Sequence, residues 1–377
     1  MPALSDLTSW LDRTYDPRWA EGWDAVGLVS GDPDQPVRKV MFAVDPVPAV
    51  AREAVEWGAD LLVVHHPLFL KPVSSVAATS PKGRTLQTLL RAGCALFTAH
   101  TNADVPPHGV NEALARAVGL SRPRIIEPLP ADGLDKLVTF APHEYAEELR
   151  AAVTAAGAGA IGDYDSCTFT VEGEGRFRPL DGATPAIGRI GEVEVVAESR
   201  IEAVYPRSRR QDVVTAMKQV HPYEEPAYDI LELAELPGAA TRGHGRIGEL
   251  AAPTSLRAFA EQVRQALPDT AHGVRVAGDP DRPVRTVAVA CGAGDYLLDR
   301  VLRTDADVYL TSDLRHHRAA EFLEHDGPAL VDVAHWAAEW TWLPVVEQAL
   351  LSALGERGDT VETRVSTVNT DPWQFRV

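Results

Sequence analysis

Short apolar runs that stop abruptly at polar residues recur along the chain. In "DLLVVHHPLF" (60–69) four apolar residues run directly into His65, His66 and Pro67. "GCALFTAH" (93–100) ends on His100, and "GPALVDVAH" (327–335) ends on His335. Such runs read as buried strands whose C-terminal ends carry polar side chains, the place where open α/β sheets usually bind their ligands.

The pattern changes between about Leu134 and Leu233. It reads as strand ("KLVTFAP"), helix ("HEYAEELRAAVTAAG") and strand ("SCTFTVEG"), then strand ("ESRIEAVYP"), helix ("RSRRQDVVTAMKQV") and strand ("AYDILEL"). Two successive β-α-β groups are the split, ferredoxin-like plan. Pro- and Gly-rich stretches flank the segment ("RIIEPLPADG" and "ELPGAATRGHG"), as expected of an inserted domain.

An internal repeat organises the rest. "GDPDQPVRKVMFAVD" begins at Gly31 and "GDPDRPVRTVAVACG" at Gly278, with Gly, Asp, Pro, Asp, Pro, Val, Arg and Val coinciding at a constant spacing of 247. The same spacing sets Asp60 of "DLLVVHH" on Asp307 of "DVYLTSDLRHH". Turn, strand, helix and strand therefore recur in order. The expected architecture is α/β, with two related lobes (1–128 and 239–377) forming the core and a ferredoxin-like α+β insert (129–238).

Charge narrows the partners. With 36 basic against 54 acidic residues the formal net charge is −18, and there is no Lys/Arg block, so a phosphate backbone would be repelled. "MPALSDLTSWLDRTYD" has neither a basic n-region nor an apolar h-region, and no apolar run approaches about 18 residues, so neither a secretory signal nor a membrane span is expected. Cys94, Cys167 and Cys291 are scattered without a CxxC, which fits a reducing, cytoplasmic setting.

The polar strand ends suggest metal chemistry. Consecutive strand residues point to opposite faces, so His65 and His66 cannot serve one point while the strand is regular. Pro67 ends the strand, and the two rings then splay over the sheet rim. Splayed imidazoles suit two ions, one each, with carboxylates as bridges, as in two-metal hydrolytic centres whose ions lie about 3.5–4 Å apart. Asp104 follows His100 by four residues and Glu339 follows His335 by four, the spacing that shares a helix face. A helix starting after "VDVAH" would bring His335 and Glu339 to one point, with Pro344 either in the first turn of the helix proper or at a kink. The expected centre is His65, His66, Asp104, His335 and Glu339, with Glu339 bridging; the part of His100 is open. His-x-x-x-Glu is weak by itself, and the weight comes from these residues falling at equivalent strand ends of two repeated lobes.

Other motifs point elsewhere or nowhere. Neither zinc-finger nor HExxH spacing occurs, and there is no GxxxxGK[ST] loop or GxSxG elbow. "GAGAIG" (157–162) reads as a helix C-terminus and turn rather than a nucleotide loop.

These residues carry a resemblance. "GWDAVGLVSGD" (22–32), "HHPLF" (65–69), "TAHTNADVPPHGVNEALA" (98–115), "TSDLRHH" (311–317) and "VDVAHWAAE" (331–339) resemble the Nif-three-like family, dinuclear-metal-centre proteins named as type-two homologues of GTP cyclohydrolase I. "HPYEEPAYDI" (221–230) is similar to the insert of longer members. The resemblance covers nearly the whole chain. It implies the same five ligands, a toroidal homohexamer with metal sites facing an internal cavity, and an insert similar to PII or CutA regulatory domains. Two positions depart from the family pattern: Ala25 stands where Asn is usual, and Ala338 where Thr commonly precedes the bridging Glu. Neither removes a ligand.

Function follows as an expectation. Two divalent ions against two carboxylates leave a net positive site suited to hydroxide and to anionic groups such as phosphate. A metal-dependent hydrolase of a phosphate-containing or nucleotide substrate is expected, with a metal-activated hydroxide as nucleophile. Imidazole and carboxylate ligands suit zinc, iron, manganese or nickel. Asp313, Arg315, His316 and His317, in the loop matching His65 and His66, either orient substrate and relay protons or are solvated loop charges. The alternative is a metal-binding regulatory or scaffolding hexamer without turnover.

Overall fold

The computed structural model describes residues 1–130, 133–162, 164–234 and 241–377. A helix, Leu4–Thr14, leads into strands β1 (Gly27–Ser30), β2 (Lys39–Ala43), β3 (Leu61–Val64), β4 (Ala95–Thr98) and β5 (Ser121–Pro128). Every residue of β3 and β4 is buried. Their neighbours explain why: β3 lies between β2 and β4 in a parallel array, and parallel strands covered on both faces read as unbroken apolar runs. Leu61 and Val63 join one apolar cluster, while Leu62 and Val64 join another on the opposite face with Val50, Ala54, Leu86 and Leu89.

Residues 130–240 form a compact unit of their own. Its strands are β6 (Leu134–Pro142), β7 (Thr168–Phe177), β8 (Glu194–Pro206) and β9 (Tyr228–Glu232), in the order β7-β8-β6-β9 with every pairing antiparallel. Helices Ala146–Ala155 and Arg210–Val220 pack on one face through Leu149, Val153, Val213 and Met217 against Leu137, Ile201, Ala203 and Tyr205. Each helix links two strands of a β-α-β group.

The second compact unit comprises residues 1–129 and 241–377. Its later strands are β10 (Gly243–Ser255), β11 (Val274–Ala277), β12 (Pro283–Ala293), β13 (Val308–Ser312), β14 (Ala329–Val333) and β15 (Glu362–Val365). Two sheets result, β1-β4-β3-β2-β15 and β11-β14-β13-β12-β10-β5. Their four-strand cores match: an antiparallel edge strand, then three parallel strands. One contiguous apolar cluster takes in strand residues from both sheets and the helices Leu4–Thr14, Leu256–Ala266 and Leu343–Glu356.

The repeated residues do the same work twice. The Asp60 carboxylate accepts the N–H groups of Arg38 and Lys39 at 2.7 and 3.0 Å. The Asp307 carboxylate accepts those of Arg285 and Thr286, both at 2.8 Å. Each aspartate thus ties the start of one parallel strand to the next. Gly31 and Gly278 have φ of 136° and 143°, and a Cβ there would lie 2.6 Å from Ala95 Cβ and 2.8 Å from Ala329 Cβ respectively. Both position and backbone angle therefore require glycine.

The lobes also exchange strands. β5, which precedes residues 130–240, pairs with β10 in the second sheet, and β15, residues 362–365, pairs with β2 in the first. The residue ranges 1–128 and 239–377 therefore mark order along the chain, while each sheet draws on both. Pro344 sits in the first turn of the helix Leu343–Glu356, separate from the short helix His335–Trp340 that precedes it. Among the described residues no helix is long and apolar enough to cross a membrane.

Candidate metal centre

The ends of β3, β4 and β14 deliver His65 and His66, His100, and His335 to one cluster. His65 and His66 follow Val64 directly, their rings 5.1 Å apart. His100 lies two residues beyond β4, its ring 5.2 Å from that of His65. His335 lies 5.2 Å from His66 and opens the helix His335–Trp340, whose one turn brings Glu339 alongside. His335 Nε2 lies 2.8 Å from Glu339 Oε1, His66 Nε2 3.0 Å from Oε2, and His65 Nε2 3.5 Å from Oε1. Asp104 enters from the short helix Thr101–Asp104, its Oδ1 3.7 Å from His65 Nε2.

All four imidazoles are held the same way round. His65 Nδ1 donates to the carbonyl of Ala99 at 2.9 Å. His66, His100 and His335 use Nδ1 on the carboxylates of Asp45, Asp24 and Asp313, at 2.7, 2.8 and 2.7 Å. With Nδ1 occupied as donor, Nε2 keeps its lone pair for a ligand. The anchoring carboxylates are themselves fixed: Asp24 accepts from the backbone and hydroxyl of Thr101, and Asp45 from Thr370 Oγ1.

Asp104 Oδ1 is buried without a hydrogen-bond partner, and the buried Glu339 Oε2 has none while His66 Nε2, 3.0 Å away, carries no proton. Buried carboxylate oxygens left without a donor are costly unless something positive completes them. His65, His66 and His100 on one side, and His66, His335 and Glu339 on the other, each bring donor atoms within 4.8 Å of one another, as a metal ion needs. The orphaned oxygens and the free Nε2 positions fit divalent cations.

Without metal, the cluster holds protons. Burial opposes the charge on His66, but Glu339 and Asp45 outweigh it and push its pKa up to about 10. Burial likewise opposes His335, and Glu339 with Asp313 carries it up to about 11. Burial and the neighbouring Glu339 charge lift Asp104 to about 7. Burial works to raise Glu339, yet the surrounding imidazoles hold it well below the usual carboxylate range.

The "SDLRHH" residues divide. Asp313, in a left-handed conformation at φ 56°, anchors His335. Arg315 pairs with Asp295, and the exposed His316 and His317 open the helix His316–Leu323. Among the described residues Arg315, His316 and His317 make no hydrogen bond, ion pair or ring contact with the cluster. Sequence reasoning did not identify Asp24 and Asp45 as anchors. Their signal was faint: each is a lone aspartate in a stretch singled out for other reasons, "GWDAVG" and "MFAVD".

Two sheets of common order, carrying a shared imidazole–carboxylate cluster at their strand ends, define a two-lobed α/β protein with a candidate metal centre. The family description Duf34/NIF3 (NGG1p interacting factor 3) matches residues 2–372, and the chain belongs to that family. A Mycobacterium tuberculosis protein named GTP cyclohydrolase 1 type 2 homolog is 50% identical over 373 residues, covering 99% of this chain and 97% of its own. A Bacillus subtilis protein of the same name is 40% identical over 352 residues, 93% of either chain. The crystal structure of a Bacillus cereus protein related to NIF3 superposes with a TM-score of 0.81 at 36% identity, covering 100% of this chain and 99% of the other.

Proposed function

We propose that this protein is a metal-dependent hydrolase with two divalent ions per chain, acting on a phosphate-containing or nucleotide substrate. In this reading His65, His66, Asp104, His335 and Glu339 would hold the ions, with Glu339 as the carboxylate common to both. The observation that carries it is the uniform orientation of the imidazoles, each fixed through Nδ1 with Nε2 turned to buried carboxylates. His100, anchored identically by Asp24, faces the His65–His66 side.

A pair of divalent ions supplies Lewis acidity and a water acidified toward neutral pH. The chain's own residues do the rest. Asp45, Asp24 and Asp313 fix three ring orientations. Trp342 packs against His65 at 5.6 Å and closes the inner side from water. His335 and Asp313, 31% and 56% exposed, leave the opposite side open to substrate. Arg315, His316 and His317 have no role in the chemistry in this reading.

The name shared by the relatives points to purine-ring opening, and phosphate-ester hydrolysis fits the same donor set. We read residues 129–238 as a ferredoxin-like insert between two lobes, on the strength of its strand order, and the assembly as a cytoplasmic homohexamer.

The test is turnover. Protein purified without chelators should contain two metals per chain by elemental analysis and hydrolyse GTP or a phosphate ester well above the Glu339→Gln background. Metal-loaded protein with no turnover above that background would overturn the enzyme reading and leave a metal-binding hexamer.

A further inference from the structure

The four-stranded sheet of residues 130–240 has helices on one face only. On its other face, under the loop of residues 178–187, lies a cavity of about 600 Å³, well within the range of small-molecule sites. Phe140, Val171, Phe177, Ile187 and Tyr223 wall it, and Glu198 is its buried polar group.

The strand chemistry creates the space. Val171, Gly173 and Gly175 pair with Arg200, Glu198 and Val196, so all six share the cavity face. Gly173 has nothing within 4 Å of where a Cβ would be. A Cβ on Gly175 would lie 2.1 Å from Glu198 Oε2. One glycine thus opens the floor, and the other admits the carboxylate. Glycine inside a strand commonly marks such a close approach.

The "HPYEE" stretch builds the opposite wall. His221 Nε2 donates to the Phe140 carbonyl at 3.0 Å, and its Nδ1 accepts the Tyr223 N–H at 3.1 Å. This fixes Tyr223, whose hydroxyl donates to Glu198 Oε1 at 2.7 Å and whose ring lies 5.5 Å from Phe177. Glu224 accepts the Thr184 N–H at 2.8 Å and so holds the covering loop.

Glu198 is 8% exposed, yet among the described residues no cation pairs with it. Arg176, Arg178 and Arg200 also line the cavity, outnumbered by Glu172, Glu174, Glu198, Glu224 and Glu225. Arg176 pairs with Glu174 and Arg200 with Glu202, and His221 is engaged through both ring nitrogens. A buried carboxylate with one neutral donor lacks its counter-charge.

We infer that this cavity binds a small organic cation, an amine or amidine on a flat apolar frame. The cationic group faces Glu198, and the frame lies against Phe177 and Tyr223, whose ring faces favour positive charge, while Arg200 already covers the Phe140 ring at 5.9 Å. Five glutamates against three arginines line the cavity, which disfavours phosphates and carboxylates. The site lies wholly within residues 140–227 and is independent of the metal reading.

The test uses the full metal-loaded chain and titrates benzamidinium by calorimetry, with benzoate as the same frame of opposite charge. Benzamidinium should bind once per chain in the millimolar range or tighter, and benzoate should not bind. Glu198→Gln should weaken benzamidinium at least about tenfold. Gly173→Leu, which fills the floor without a positive-φ requirement, should abolish binding while circular dichroism and metal content stay as in wild type. Absence of saturable benzamidinium binding, equal binding of benzoate, or wild-type affinity in a folded Gly173→Leu protein would each overturn the inference.

Discussion

The two repeated lobes share a strand order, yet they bring different chemistry to the cluster. Both place a histidine beyond the third parallel strand and an acid four residues on: His100 with Asp104, and His335 with Glu339. At the end of the middle strand they part. The first lobe has His65 and His66 where the second has Ser312 and Asp313. At the end of the neighbouring strand, the first has Asp45, two residues beyond β2, where the second has Gly292, still within β12. Gly292, at φ 68°, leaves room that a Cβ would take 3.2 Å from Glu339 Oε1. The first lobe thus supplies most imidazoles, and the second supplies the central carboxylate together with the space it occupies. Duplication explains the frame; divergence at a few strand ends explains why the site is not symmetric.

The largest expected effect tests the two acids against each other. Glu339 approaches three imidazoles, whereas Asp104 approaches one. Loss of an orienting partner typically costs about 10–100-fold in metal affinity, and loss of a central ligand costs at least that. Glu339→Gln should therefore emerge from dialysis nearly metal-free, with Asp104→Asn retaining part of its metal by elemental analysis. Equal losses would mean that the lobes contribute equivalently.

The anchoring carboxylates come next. Asp45→Asn should weaken metal binding toward the upper end of that 10–100-fold range, because Asp45 is pinned by Thr370; Asp313→Asn, more than half exposed, should fall near the lower end. Competition with a chelator of known affinity gives both values. A larger loss for Asp313→Asn would reverse the ranking.

The pH response of chelated protein is smaller. His66 and His335 have folded pKa values of about 10 and about 11 against 6.5 ordinarily. Raised values stabilise the fold fully below about pH 6.5, and that contribution is lost as pH rises through 10–11. The melting temperature of metal-free protein should fall across that window. Glu339→Gln should flatten the fall, since Glu339 is the leading charge holding both protons. A metal-free wild type with no alkaline loss would sink this account. Metal uptake near neutral pH should release about two protons per chain, measurable in buffers of different ionisation enthalpy.

The smallest difference is expected where the lobes agree. Asp60→Ala and Asp307→Ala each strip the acceptor from one exposed and one part-buried backbone N–H, costing about 0.5–1.5 kcal/mol for each bond lost. Denaturant melts should place the two variants within about 0.5 kcal/mol of each other. A wider gap would show that matching geometry conceals unequal strain.

Much of this was legible in the chain. The repeat at Gly31 and Gly278 marks the frame because tight packing admits only glycine there. "DLLVV" signals a strand buried on both faces because successive residues fill opposite cores. What stayed hidden was non-local. β5 and β15 join sheets at edges the repeat does not describe, and nothing in their own residues names the partner strand. Asp24 reaches His100 across 76 residues, a link that only folding makes. "HH" at His316 resembles the pair at His65 in letters alone, since the 247-residue spacing sets His65 on Ser312 and leaves the second pair beyond the strand.

The exchanged edge strands bear on how the molecule is made. During synthesis the first sheet emerges with β2 as an open edge, unpaired until residues 362–365 leave the ribosome. The cluster's last side chains, His335 and Glu339, also arrive late. A nascent chain therefore has neither a closed sheet nor a complete cluster until residues 335–365 have emerged, and the two are completed within about thirty residues of each other. Cutting the core between its lobes would yield two halves each with a bare strand edge, so the pair should fold and unfold as one cooperative body.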